Sequence, residues 1–344
     1  MSVKKVAIAW WEPPHYAAAM LASAIARLDR PVPVVATPSP LPIEGVTERL
    51  GQEPRLVDPG RRYSWAELGL EVPDLLFQSG WAYPVFNHLG DQVRARGGRV
   101  VSCIDNRWKN NPRQWLGALY YRLFLRKRFA AVWVPGRSGL GLMRFLGVRA
   151  HRIYQGLNGA DPDLFTCERP LRDRPKRFLF VGQLIHRKGV DLLLEAFRAV
   201  RARDPEWELI FVGSGPYADQ IHGEGIRLEP YRQVDFVARL MRESRFLVLP
   251  AREEHWGMVA HEAALAGCGL VLSDRVGAVP DITSDANCYL FDFNESKGLK
   301  RALRAATAAG PERLDEIERY SRQYAALYGP RVFADTFERI VAEV

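Results

Sequence analysis

Two glutamates, Glu254 and Glu262, stand eight positions apart in Arg252-Glu-Glu-His-Trp-Gly-Met-Val-Ala-His-Glu262-Ala-Ala-Leu-Ala-Gly267. Carboxylates at such a spacing serve as a general acid and base, or as acceptors of hydrogen bonds from vicinal hydroxyls. The surroundings favour the second use. The apolar run 246–249, closed by Pro250, reads as a buried strand. An acidic loop with one glycine leads from it into an Ala-rich helix. That layout is a ligand site at the carboxyl end of an α/β strand. Unpaired N–H groups and partial positive charge at a helix start suit phosphate and sugar oxygens, so the pair reads as part of a sugar-nucleotide site. The structural alternative has Glu254 capping the helix and Glu262 on its wet face; against it, Val259, Ala263 and Ala266 read as the buried stripe, which puts Glu262 at the face edge, able to reach into a cleft.

The elements that must position these residues alternate along the chain. In the first half, strands are expected at 6–10, 32–36, 74–78, 100–104 and 130–134, with helices at 16–28, 86–96 and 138–146 among them. Residues 162–177, rich in Pro, Arg and Asp, read as a connection between domains. The pattern then restarts with strands at 177–181, 208–212, 246–249 and 269–272, and helices at 189–202, 234–243 and 259–266. The last segment, 314–344, is helical with a break at Gly329-Pro330. Strand–helix alternation predicts mostly parallel sheets. The fold expected is α/β, with two doubly wound Rossmann-like domains facing a cleft.

With 344 residues the chain has room for two ordinary domains. No run approaches the roughly 20 apolar residues that span a bilayer, and the N-terminus reads as a first buried strand rather than a signal peptide. Cys103, Cys167, Cys268 and Cys288 show no CxxC spacing, which argues against a zinc site or a disulfide framework and for a reducing cytoplasm. The net charge of +8 is uneven: residues 1–160 hold 22 Lys/Arg against 11 Asp/Glu, and the remainder 26 against 29. The basic half should attract an anionic partner.

Four segments of the second half, in order, carry a family likeness: Asn158-Gly-Ala-Asp161; Phe180-Val-Gly-Gln183-Leu-Ile-His-Arg187-Lys188-Gly189; Phe211-Val-Gly213-Ser-Gly-Pro216; and the Glu254/Glu262 segment, followed by Ser273-Asp-Arg-Val-Gly-Ala-Val-Pro-Asp281. Together they resemble the GT-B glycosyltransferases of retaining family 4. The resemblance implies an N-terminal acceptor-binding domain over 1–161, a donor-binding domain over 162–321, and a final helix, about 322–344, packing back on the first. It implies retaining transfer of a sugar from a UDP- or GDP-linked donor to a hydroxyl of a glycan or lipid-linked acceptor, as in synthesis of cell-envelope polysaccharide or glycolipid. No metal and no further cofactor would be needed. Arg187 and Lys188 would neutralise the donor diphosphate. Glu254 would accept hydrogen bonds from the transferred sugar and Glu262 from the ribose, with Gly213 and the N–H groups of Trp256, Gly257, Met258 and Val259 facing donor oxygens. Gln183 stands where relatives commonly carry arginine, which puts the detail of diphosphate binding in question. Asp105, after the strand 100–104, would orient the acceptor or the sugar, or simply cap a turn. Pro14, His15 and Arg107 are assigned to the acceptor side.

Two further motifs compete. Asp161-Pro-Asp163 is a DxD of the kind that binds metal, but it falls in the connection rather than after a strand. Gly213-Ser-Gly-Pro-Tyr-Ala218 fits a dinucleotide fingerprint, which keeps an NAD-type oxidoreductase as an alternative. A non-catalytic binding protein with a degenerate donor site is another, favoured by Gln183. Residues 107–128 carry seven basic residues, no acid, and five interleaved aromatics. They read either as a segment lying on an anionic membrane, or as a helix packing Leu119, Leu123 and Phe124 on the sheet. The first reading places the protein at the inner face of the plasma membrane. Nucleic acid is a weaker partner, since no recognised module accompanies the charge.

Overall fold

The structure, a computed structural model, describes residues 4–40, 42–109 and 111–344. Met1–Val3 and Asn110, parts of the expected first strand region and basic segment, lie outside them. The chain forms two compact units: residues up to Gly159 with Tyr328–Val344, and Ala160–Leu327.

In the first unit seven parallel strands, β1 (Val6–Trp10), β2 (Val34–Ala36), β3 (Arg55–Leu56), β4 (Leu75–Ser79), β5 (Arg99–Cys103), β6 (Ala131–Val134) and β7 (Ile153–Gln155), lie in the order β3-β2-β1-β4-β5-β6-β7. The central strands are apolar on both faces because helices cover both. One face packs on helices His15–Ile25 and Pro330–Glu343, with Phe77 stacked on Phe337 at 4.4 Å. The other packs on Pro84–Ala95 and the helical stretch that begins at Pro112.

The second unit holds β8 (Arg177–Val181), β9 (Glu208–Val212), β10 (Ile226–Glu229), β11 (Phe246–Leu249), β12 (Gly269–Ser273) and β13 (Cys288–Phe291), all parallel, in the order β10-β9-β8-β11-β12-β13. Helix Val190–Arg201 illustrates the local logic. Gly189 supplies a left-handed start (φ 74°), and Leu193, Leu194, Phe197 and Val200 form the apolar stripe that the sheet buries.

Two boundaries differ from expectation. The stretch 162–177 is part of the second unit rather than a free connection. Arg174 is fully buried there, donating to the carbonyls of Ala266 (2.7 Å), Met241 (3.3 Å) and Ser244 (3.3 Å). Those are carbonyls at or just beyond helix C-termini, where the helix itself supplies few donors. The return to the first unit comes at Tyr328, not about 322, because helix Pro311–Ala325 belongs to the second unit and breaks before Gly329. All four cysteines are buried and free.

Candidate functional site

In the second sheet the chain order reverses between β8 and β11, and doubly wound sheets hold ligands outside the strand carboxyl ends at such a reversal. Loops 182–189, 213–217 and 250–257 meet there. Glycine makes the approach close. A Cβ on Gly189 would sit 2.1 Å from the Pro250 carbonyl oxygen, and one on Gly213 (φ 148°) 2.0 Å from that of Gly182. The loops therefore lie backbone to backbone, joined by the Leu184 N–H to Ser214 O (2.9 Å) and the Arg252 N–H to Arg187 O (2.8 Å).

This packing gathers the charged residues. The Lys188 ammonium donates to Glu254 Oε2, with both side chains largely buried. Arg187 donates to the Glu253 carbonyl at 2.9 Å and stands 3.7 Å from the same Glu254 oxygen. Sequence reasoning assigned Arg187 and Lys188 to the donor diphosphate and Glu254 to the transferred sugar; the structure makes them one cluster. It also reveals a support that sequence reasoning missed. Arg252 binds both oxygens of Asp191 (2.7 Å each) and clamps the glutamate loop to the start of helix Val190–Arg201. No spacing pattern announced that pair.

Glu254 is buried and bridges in parallel to Val276, its N–H donating to Arg275 O at 3.2 Å. Helix Met258–Leu265 then starts from Gly257 in a left-handed conformation (φ 94°), with no side-chain cap. The expected alternative of a capping Glu254 is thus excluded, and the first-turn N–H groups have no acceptor within the helix. Trp256 and Gly257 are buried, while Met258 and Val259 are only half-buried, so the buried stripe is Ala260, His261, Ala263 and Ala264 rather than one containing Val259. Gln183 is exposed in the loop after β8.

Glu262 is half-buried and has no side-chain partner among the described residues; burial raises its carboxyl to about 7. Its neighbour His261 is fully buried. Nδ1 accepts from the Ala160 N–H (3.1 Å) and Nε2 lies 2.9 Å from the Ala325 carbonyl, an arrangement that requires the proton on Nε2. Burial lowers this imidazole to about 4. Neither competing motif keeps its role. After Gly213 and Gly215 comes only the short turn Ala218–Gln220, not the helix a dinucleotide fingerprint opens. Asp161 accepts from the Asp163 N–H (3.1 Å) as the cap of helix Pro162–Phe165.

In the first unit the order reverses between β1 and β4, and a cavity of about 300 Å³ opens at the carboxyl ends of β1, β4 and β5. Asp105 and Pro14 line it; His15, which begins helix His15–Ile25, and Arg107 are not among its lining residues. Trp11 and Tyr83, stacked at 3.9 Å, form an aromatic wall with Trp81 nearby. Glu12 also lines the cavity and was missed. Its backbone holds φ 42°, unusual for a residue with a Cβ, while its N–H donates to Thr37 Oγ1 at 2.9 Å. A signal existed: Glu12 follows the end of β1 at the same offset at which Asp105 follows β5. Burial, then the charges of Asp105 and Glu12, raise the Tyr83 hydroxyl above its ordinary range.

Comparison with known proteins bears on the family and the fold. Residues 167–324 match the family model described as Glycosyl transferases group 1. An uncharacterized glycosyltransferase of Methanocaldococcus jannaschii is 33% identical over 133 residues, 36% of each chain. The chain thus spans about a third of the length of this curated relative. A glycosyltransferase from Rickettsia africae superposes with a TM-score of 0.75 at 12% identity, covering 99% of both chains. Anabaena HepE, in complex with UDP and glucose, gives 0.74 at 14%, covering 99% of this chain and 100% of its own. The chain therefore carries a glycosyl transferases group 1 segment within a two-sheet α/β fold of the GT-B type.

Proposed function

We propose that this protein is a metal-independent, retaining glycosyltransferase, moving a sugar from a UDP- or GDP-linked donor to a hydroxyl of a glycan or lipid-linked acceptor. The observation that carries the reading is the cluster of Arg187, Lys188 and Glu254 beside the uncapped start of helix Met258–Leu265, which carries Glu262 in its second turn, at the order reversal of the second sheet. A departing nucleoside diphosphate gains negative charge. Arg187 and the Met258 and Val259 N–H groups are donors beside that locus, and Lys188, once released from Glu254, adds a cation to it, so together they stabilise that charge. Glu254 accepts hydrogen bonds from sugar hydroxyls and Lys188 moves from Glu254 to phosphate, so donor binding exchanges one ion pair for another. Glu262 grips the ribose. Gln183 can donate to phosphate but adds no charge, and Arg187 takes that part. In the first unit, the aromatic wall of Trp11 and Tyr83 with the carboxylates Glu12 and Asp105 suits a sugar face and its hydroxyls, as expected for an acceptor. Front-face attack, in which the leaving phosphate accepts the acceptor proton, requires no enzyme nucleophile.

A thermal-shift series with UDP, GDP, NAD and their sugar conjugates tests the reading, followed by assay of nucleoside diphosphate release. UDP or GDP is expected to raise Tm and NAD to leave it unchanged. No stabilisation by either diphosphate, with no release from any sugar donor, refutes it.

A further inference from the structure

We infer that the amino-terminal edge of the first sheet docks on an anionic phospholipid surface, with lipid phosphate in a basic cavity and an adjoining apolar face in the acyl boundary. This inference is independent of the transferase reading.

The charge is one-sided to an unusual degree. Residues 106–160 contain no Asp or Glu and 11 Lys/Arg. They supply much of the lining of a cavity of about 790 Å³ at the amino ends of β5, β6 and β7, the opposite sheet end from Asp105 and the aromatic wall. Arg99, Arg126, Lys127 and Arg152 line it, and none of the four has a carboxylate partner among the described residues. Arg94 and Arg128, also in the lining, share Asp91. The acid at the rim, Glu343, is hydrogen-bonded by the Tyr154 hydroxyl at 2.6 Å.

The apolar half adjoins it. Helix Pro112–Tyr120 continues into a π-helical turn, Tyr121–Leu125, and on into Arg126-Lys127-Arg128. Its inner face is seated in the core through Ala118, Tyr121 and Leu125. Its outer face leaves Leu116, Leu119, Leu123 and Phe124 between 57% and 71% exposed. That corrects the expectation that Leu119, Leu123 and Phe124 pack on the sheet. Trp115 and Tyr120 are exposed beside them, so six of the nine exposed large hydrophobics among the described residues lie within ten positions. Leu123 also lines a second cavity, of about 400 Å³, that shares Arg126, Lys127 and Arg152 with the first, which joins the apolar face to the basic site.

Charge complementarity selects the occupant. Nucleic acid would meet the basic side chains alone and an apolar protein surface the leucines alone, whereas an anionic bilayer presents phosphate and hydrocarbon a few ångströms apart. No helix among the described residues is long and apolar enough to cross a membrane, so the segment would lie in the interface.

The test is co-sedimentation of the full chain with phosphatidylcholine vesicles, with and without phosphatidylglycerol. Binding is expected only with phosphatidylglycerol, with a blue shift of tryptophan emission from Trp115. At about fivefold per basic side chain, the triple change Arg126→Ala, Lys127→Ala, Arg152→Ala should weaken it about 100-fold. Leu119→Ser with Phe124→Ser should remove the binding that survives high salt. Both variants should keep the parent's Tm and its nucleotide thermal shift, which separates this result from any failure of the transferase reading. Equal binding to neutral vesicles, no binding to anionic ones, anionic binding unmoved by either variant, or retention of RNA in place of vesicles overturns the inference.

Discussion

Replacing Glu262 with Gln separates what this carboxylate costs the fold from what it does for a ligand. It has no side-chain partner among the described residues, and burial moves it from 4.5 to about 7. At about 1.36 kcal/mol per pKa unit the shift corresponds to about 3 kcal/mol as an upper bound. The side chain keeps part of its surface in water, and screening reduces the figure to about 1–2 kcal/mol. Linkage fixes the sign. An acid whose folded pKa is raised carries no penalty below its unfolded value, and stability falls as pH rises from near 4.5 to near 7. The Glu262→Gln variant should therefore be about 1–2 kcal/mol more stable than the parent at pH 8 and equal to it at pH 4.5 within about 0.5 kcal/mol. Urea unfolding at the two pH values measures both. The same change should weaken the nucleotide thermal shift, because one acceptor oxygen replaces two. A variant no more stable than its parent at pH 8, with an unchanged pH slope, would refute the account of Glu262 as an unpartnered carboxyl shifted by burial.

Three other outcomes follow from the same geometry. Lys188→Ala removes a cation from the developing charge and should cut turnover about 10²–10³-fold, read as kcat for diphosphate release; a cut under tenfold would remove Lys188 from the proposed chemistry. Gly213→Ala drives a Cβ into the Gly182 carbonyl oxygen, 2.0 Å away, at a positive φ. It should cost about 2–4 kcal/mol by chemical denaturation, and a neutral result would contradict the loop packing. His261→Leu leaves the Ala160 N–H without its acceptor and should cost about 1–3 kcal/mol at pH 8. The parent, whose imidazole is lowered to about 4, should lose stability as pH falls from 6.5 toward 4, and the variant should lose that acid limb. An unchanged limb in a pH-resolved denaturation series would place the titrating group elsewhere.

The loops of the site were legible where glycine or charge stood out. Glu254, Lys188 and Gly213 occupy strand carboxyl ends that the apolar runs announce. What could not be read was their pairing. Lys188 and Glu254 are 66 positions apart, and only the order reversal between β8 and β11 makes them neighbours. Arg252 and Asp191 were invisible for the same reason, as was the aromatic wall, since Trp11 and Tyr83 follow strands that become adjacent only in the sheet. The basic segment shows the limit from the other side. Its composition admitted two outcomes, and exposure of Leu119, Leu123 and Phe124 depended on which face of the helix the core took.

The central strands were fixed by the sequence alone. β1, β2, β4, β5 and β6, and likewise β8, β9, β11 and β12, are buried on both faces and must be nearly continuous apolar runs. The strands that went unread, β3, β7, β10 and β13, are the four sheet edges. An edge strand has one neighbour and partial exposure, so Arg55–Leu56 or Ile226–Glu229 need no apolar pattern, and their pairing was decided only when the rest of the sheet offered a template. The carboxylates follow the same division. The sequence determined that Glu254 and Glu262 sit beyond a buried strand; tertiary packing decided that one is neutralised by Lys188 while the other is held, unpaired, near pH 7, because partner and burial are properties of neighbours that local sequence does not contain.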